Sequence, residues 1–302
     1  MNSKWFAFEV TEKCNLSCMF CYNVWLENDE QGKPELTFNE IEKILHNISK
    51  APGATGVTFT GGEPLLRSDL PEIVRICRES GMKAAIATNG TLLTEKLISN
   101  LTESGVQHFD IGFTEPAAET RLALAAAAKS GCTVTASICI HKNNYERTGI
   151  LCEMAAVLGA DAVALNRFIP TGRGKHHSRN LQLRNEDILT ALKLADQAAA
   201  TAGIYTYTGI PVEPCIASST EFPGIVFSTC QCGESKWAID PYGNLRTCEQ
   251  NREILGNLLE NSFTEIAENS AEEISRFRAW KPSEDCLSCM LHGNCRGGCR
   301  FQ

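Results

Sequence analysis

The sequence predicts an α/β fold: a partial (β/α)6 TIM-like barrel over residues 1–204, followed by a small cysteine-rich domain over 205–302. Three observations predict it. Short apolar runs alternate six times with segments of helical period, which implies parallel strands joined by right-handed helical crossovers. Six units fall short of a closed eight-stranded barrel, so the sheet is expected to stay open. Strand parity separates an apolar face from a polar one, and beyond about residue 180 the pattern gives way to turn-rich, cysteine-dense sequence.

The strand candidates are 5–10, 56–60, 83–88, 107–114, 132–140 and 161–166. Helix punctuation lies between them. Thr37 followed by Glu40 forms a capping box, after which Phe38, Ile41, Leu45 and Ile48 recur at helical spacing. Ser68 is placed to cap a helix carrying Leu70, Ile73, Val74 and Cys77, which Gly81 stops. Thr94 caps Leu97, Ile98 and Leu101, which Gly105 stops. Segments 119–129 and 145–158 complete the series, and a helix over 186–200 leads into a stretch with Pro211, Pro214 and Pro223.

Parity then says what the barrel is for. Phe109, Ile111 and Phe113 oppose His108, Asp110 and Thr114, while Val134, Ala136 and Ile138 oppose Thr133, Thr135, Ser137 and Cys139. The apolar faces pack under helices and the polar faces look inward. An interior that served packing alone would be filled by branched apolar residues. A polar lumen implies a wide, occupied interior.

The chain has 302 residues, 43% of them hydrophobic and 21% charged, as in a folded globular protein. Its formal charge of −8 lacks the basic excess that nucleic acid or an anionic membrane would need. No apolar run reaches the eighteen residues of a membrane span, and the N-terminus has no signal-peptide architecture, so a cytoplasmic location is expected. Fifteen cysteines are the anomaly. In a reducing compartment, clustered cysteines indicate metal or redox chemistry rather than disulfides.

Cys14, Cys18 and Cys21 directly follow the first strand, at the end where barrel active sites lie. Three thiolates so close in sequence can converge on one soft metal centre. The missing fourth ligand is informative, because a structural zinc site closes with four protein ligands whereas an open position admits substrate or cofactor. His46, inside the next helix, does not supply it. A [4Fe–4S] cluster with one open iron fits this set better than zinc does.

The Cys-x3-Cys-x2-Cys spacing, with Phe20 before the last cysteine, resembles the cluster motif of radical S-adenosylmethionine (SAM) enzymes. The resemblance implies that the open iron chelates the methionine moiety of SAM, that electron transfer releases a 5′-deoxyadenosyl radical, and that Phe20 packs near the adenine. Gly61-Gly62-Glu63-Pro64, ending the second strand, resembles the segment that holds the methionine amino group. Thr88 and Asn89, before Gly90, match a tripeptide beside the ribose. Ser137 on the inward face of the fifth strand is a further candidate cofactor contact, as are Asn166 and Arg167 at the end of the sixth. Arg167 or Arg173 can hold a carboxylate, or belong to a solvated basic loop.

The C-terminal cysteines resemble the SPASM extension found behind many such barrels, which holds one or two auxiliary [4Fe–4S] clusters. Cys230 and Cys232 precede Gly243-x4-Cys248, and Cys286-x2-Cys289-x5-Cys295-x3-Cys299 follows. The family's interleaved ligation implies that Cys299 joins Cys248, Cys230 or Cys232 and an upstream residue in the first cluster. Cys286, Cys289 and Cys295 then hold the second, whose usual closing cysteine does not follow before Gln302. Counting Cys215 gives eight cysteines, enough for two full clusters; an open site or a single auxiliary cluster is the alternative. A zinc ribbon is the competing reading of the last four. Glu249 follows Cys248 where some relatives carry a residue that takes a substrate proton, although a surface carboxylate reads the same. Cys77, Cys132 and Cys152 read as core, and Cys139 faces inward.

These features imply a SAM-dependent radical oxidoreductase that abstracts a C–H hydrogen. The expected substrate is a ribosomally made peptide, to be crosslinked, given a thioether or epimerised; the alternative is a small natural-product intermediate that is oxidised or decarboxylated. A zinc-stabilised binding protein is the reading from outside this class. A flavodoxin or ferredoxin is the expected reductant. With no segment ahead of the first strand to grip a leader peptide, a separate leader-binding protein is expected.

Overall fold

Six strand–helix units follow one another in the computed structural model, which describes residues 3–27, 34–280 and 283–302. They are β1 (Lys4–Thr11) with α1 (Phe38–Ser49), β2 (Ala54–Gly61) with α2 (Leu70–Glu79), and β3 (Lys83–Thr88) with α3 (Glu95–Ser104). Then come β4 (Val106–Gly112) with α4 (Ala118–Ala127), β5 (Thr133–Ile140) with α5 (Thr148–Val157), and β6 (Ala162–Arg167) with the short α6 (Ser178–Leu181) and α7 (Asn185–Ala202). β1 to β6 pair in parallel and in sequence order.

The sheet does not stop at residue 204. β7 (Tyr205–Thr208) pairs in parallel with β6, and β8 (Ile225–Val226) with β7. The chain then crosses to the other edge, where β9 (Lys236–Ile239) lies parallel to β1, and β10 (Asn244–Arg246) and β11 (Gly256–Asn257) add antiparallel strands. The strand order is β11-β10-β9-β1-β2-β3-β4-β5-β6-β7-β8, so the barrel is open, with β8 and β11 as its edges.

The expected capping box is present: the Thr37 N–H donates to Glu40 Oε2 at 2.8 Å, and the Glu40 N–H to Thr37 Oγ1 at 3.4 Å. Thr94 caps α3 without a reciprocal partner, its Oγ1 accepting from the Leu97 N–H at 3.3 Å. Ser68 departs from expectation, because Asp69 is the residue that precedes α2. Its carboxylate does not cap the helix but takes a two-point pair from Arg67, at 2.9 and 2.7 Å.

Parity governs the packing. Phe6, Phe8, Phe109, Ile111, Phe113, Val134, Ala136 and Ile138 are fully buried beneath the helices, together with Cys77 and Cys152. The half-buried Cys132 thiol donates to Val106 O at 3.2 Å. The C-terminal region is joined to this core by aromatic contact: Phe263, on α8 (Phe263–Asn269), meets Phe6 and Trp237 edge-on at 5.5 and 5.2 Å. Asn47 on α1 reinforces the joint with bonds of 2.8 Å to Leu258 O and Asn261 O. Among the described residues, no helix is long and apolar enough to cross a membrane.

Candidate functional site

Cys14, Cys18 and Cys21 lie on the loop that leaves β1, and neighbouring loops hold that loop from three sides. From the β2 side, the Gly62 and Glu63 N–H groups donate to Thr11 O and Lys13 O, both at 2.8 Å, and Asn23 Nδ2 donates to Gly61 O at 2.7 Å. From the β3 side, Asn89 Nδ2 donates to Asn15 Oδ1 at 2.9 Å, and Asn15 Nδ2 to Thr91 Oγ1 at 2.8 Å. From beyond β6, the Gly174 N–H donates to Cys21 O at 2.9 Å, and Arg173 Nη1 reaches Cys18 O at 3.4 Å. Gly172 is required there: its φ is 54°, and a Cβ would stand 2.5 Å from the carbonyl carbon of Tyr22.

Gly62 sets the tightest contact. A Cβ there would lie 2.1 Å from Lys13 O, a backbone atom of the cluster loop with no rotamer to escape into. Gly62→Ala is expected to displace the loop and lower the iron held at Cys14, Cys18 and Cys21 by up to about four atoms per chain, leaving C-terminal iron in place. Anaerobic iron counting checks this, and an unchanged count would show that the loop yields freely.

Glu63 is fully buried. Its Oε1 accepts from Thr88 Oγ1 at 2.7 Å and from the Leu65 N–H at 3.1 Å, and its Oε2 accepts from the Asn89 N–H at 2.8 Å. The carboxylate thus binds the β2 and β3 loops to each other. Burial pushes its pKa up against those three donors. Pro64 follows, opening a short 3-10 turn with its ring buried.

Phe20 stacks on His141 with ring centroids 5.6 Å apart and planes 24° off parallel. Sequence reasoning missed His141, whose only local signal is its place just after β5. The Asn143 N–H donates to His141 Nδ1 at 3.2 Å, which puts the ring proton on Nε2, a buried atom without a hydrogen-bond partner. Burial lowers the His141 pKa, so the ring stays neutral. The pair offers a flat apolar wall with a ring donor beside it, 3.9 Å from Glu115 Oε1, features that suit a purine.

Ser137 and Asn166 face the lumen and join each other, Asn166 Nδ2 donating to Ser137 Oγ at 2.9 Å. Asp110 stands beside Ser137; burial pushes its carboxyl up against the pull of His108, Ser137 and Lys236. Ala7, Ala85, Ala87, Ala164 and Ala238 share this lumen face by register with Trp5 and Tyr207, and all of these alanines but Ala87 are buried. Arg167 departs from expectation. The register pairs it with Ile140 on the helix-facing side, and its guanidinium is held by Glu213 at 2.9 Å and by Gln302. Arg173, not Arg167, is the arginine at the cluster loop.

Across the lumen from Asp110, Lys236 Nζ pairs with Glu249 at 3.0 Å. The Glu249 charge holds Lys236 protonated. Burial alone would raise Glu249, but Lys236, the residue's own backbone and Arg246 outweigh it and keep the carboxylate ionised. Behind this pair, the Cys232 thiol neighbours both Cys230 and Cys248, and the Cys299 thiol feels the charges of Cys248 and Cys230. Cys215, Cys286, Cys289 and Cys295 line a separate cavity.

The donor chemistry fits iron–sulfur clusters. Each cysteine group is made of soft thiols only, and Cys18 feels the charges of both Cys21 and Cys14. Yet among the described residues no three His, Cys, Asp or Glu side chains converge closely enough to share one metal ion. Thiols that face one another across a wider gap suit a cubane, whose corners are separate irons.

Residues 8–148 match the Radical SAM superfamily, and residues 230–290 match the iron–sulfur cluster-binding domain called SPASM. The chain is 28% identical to a PqqA peptide cyclase of Streptomyces rochei over 97% of its own length and 83% of that protein's. It is 27% identical to an AdoMet-dependent heme synthase of Methanosarcina barkeri over 97% of its length and 90% of that protein's. In fold it is similar to Streptococcus suis SuiB bound to the precursor peptide SuiA, with a TM-score of 0.77 and 18% identity over 99% of this chain and 72% of that one.

Proposed function

We propose that this chain, which belongs to the radical SAM superfamily and carries a SPASM-type iron–sulfur domain, is an oxidoreductase that matures a ribosomally made peptide. The observation that carries the reading is the similarity to PqqA peptide cyclase, which spans barrel and C-terminal region alike. The lumen supports it. Its polar face carries Ser137, Asn166, Asp110 and Lys236, groups that can meet the amides and charges of a peptide.

In this reading residues 1–204 house the radical chemistry and residues 205–302 the auxiliary clusters. Cys14, Cys18 and Cys21 hold the reducible cluster, and Gly61, Gly62, Glu63 and Pro64 shape the SAM cradle with Thr88 and Asn89. Phe20 and His141 face the adenine, and Ser137 and Asn166 line the lumen beside it. When bound, the reduced cluster and SAM supply a 5′-deoxyadenosyl radical that takes the substrate hydrogen. Glu249, ionised beside Lys236, accepts a proton from the substrate. Cys230, Cys232, Cys248 and Cys299 hold an acceptor for the second electron next to that base. A flavodoxin or ferredoxin in a reducing cytoplasm supplies the first electron, and a separate protein presents the leader peptide.

The test is anaerobic turnover. Dithionite-reduced protein with SAM should release 5′-deoxyadenosine, and a precursor peptide encoded beside its gene should lose hydrogen mass in step. The heme synthase similarity favours a second reading, a small-molecule substrate. Release stimulated by a small metabolite and by no peptide would establish that reading instead. A colourless, zinc-loaded protein would overturn both.

A further inference from the structure

We infer that Cys215 is the fourth protein ligand of the second auxiliary cluster, completing a four-thiolate set with Cys286, Cys289 and Cys295. The inference rests on the cluster reading above and adds a ligand from a different part of the chain. A cavity of about 370 Å³ carries it: all four thiols line this one space, as do Glu213, Arg167 and Gln302. Three of the cysteines come from the C-terminal turns, and the fourth comes from the turn after β7, seventy-one residues before the first of them.

The backbone fixes that fourth thiol in place. Val212, Glu213 and Ala217 are buried, and the Ile216 and Ala217 N–H groups donate to Glu213 O at 2.8 and 3.1 Å. Cys215 is exposed and lines the cavity, an unusual setting for a residue that otherwise prefers the core. Gly298 brings the two segments together, since a Cβ there would lie 2.2 Å from Glu213 Oε1.

Cys230, Cys232, Cys248 and Cys299 already make a set of four, so the first cluster does not call for Cys215. His292 is the rival ligand: it lines the same cavity, and its Nε2 is buried without a partner. Cys215 is preferred because four-iron clusters are held by thiolates. Four protein ligands leave no iron open, so this centre passes electrons and does not bind substrate. Arg167 lines the wall of this cavity, held there by Glu213 at 2.9 Å.

The test uses anaerobically reconstituted full-length protein, with iron and sulfide counts, Mössbauer and EPR spectra. Three full clusters give about twelve irons per chain. Cys215→Ser should lose about four of them, or convert one cluster to a three-iron form with its own oxidised EPR signal. The SAM-induced change in the N-terminal cluster's EPR signal should persist, which shows that the barrel has folded. Wild-type iron and spectra in Cys215→Ser would overturn the assignment, as would loss in His292→Ala with none in Cys215→Ser. A wild type with no C-terminal iron, unaffected by Cys286→Ser, would overturn the cluster reading itself and the assignment with it.

Discussion

Cys18→Ala will lose about four irons per chain and bring 5′-deoxyadenosine release down to the level of a blank without enzyme. The effect is total because the set has no spare ligand: removing one of three thiolates leaves two, and a cubane with two open irons is not retained. No other thiol takes its place. Cys139 lies near enough to Cys18 to feel its charge, yet it is fixed on β5, and burial pushes its thiol up to about 12, so it remains protonated. Cys139→Ala is therefore the matched control, expected to keep the full iron count and SAM cleavage. The C-terminal clusters should survive in Cys18→Ala, leaving a brown, folded protein without radical chemistry. Iron loss in the Cys139 variant, or SAM cleavage in the Cys18 variant, would show that the cluster sits elsewhere.

The barrel was legible because β4 and β5 alternate with a period of two and α1, α2 and α3 each carry an apolar stripe. β7 was harder to read. Tyr205-Thr206-Tyr207-Thr208 alternates properly but runs for four residues into a proline-rich stretch, and β8, β10 and β11 are shorter still. These strands exist because a neighbouring strand already offers them a hydrogen-bonding edge, parallel for β7 and β8 and antiparallel for β10 and β11, which is tertiary information. Arg167 was within reach of parity alone, since alternation along β6 sets it with Val163 and Leu165 and opposite Asn166.

What no local pattern carries is convergence from afar. Gly174 meets Cys21, Asn23 closes on Gly61, and His141 stacks on Phe20, in each case across many residues. The glycines at 172 and 174 were the one visible sign of a close approach. Glu9 was likewise visible as a carboxylate in an apolar strand, but its partner lies 237 residues away.

That partner sets the second large effect. Glu9 on β1 and Arg246 on β10 meet with side chains only 1% and 2% exposed, joining the barrel wall to the C-terminal strands. Arg246 also donates to Glu249 O at 3.0 Å and Asn251 O at 3.1 Å. Arg246→Met removes the counter-charge and leaves a buried carboxyl facing Asp240 and Glu249. Where Glu9 is ionised, breaking a buried pair in this way costs about 3–5 kcal/mol, on the order of 5–10 °C in apparent Tm for a chain of this size.

The pH dependence separates charge from packing. Burial pushes the Glu9 carboxyl from 4.5 up to about 8 despite Arg246. A carboxyl raised on folding contributes stability that is lost as pH rises from its unfolded value through its folded one. Wild type and variant therefore weaken in parallel between about pH 4.5 and about pH 8, the folded state of each keeping the Glu9 proton that the unfolded chain releases. Above about 8 the wild type levels off, while the variant, deprived of the charge that lowers Glu9, keeps losing stability. The gap in apparent Tm should thus be wider at pH 9 than at pH 6. In Glu9→Gln/Arg246→Met the widening should vanish, leaving a constant deficit from the two lost carbonyl bonds. A gap in the single variant that does not change with pH would mean that Arg246 holds the two regions together by hydrogen bonding alone, with Glu9 already neutral beside it.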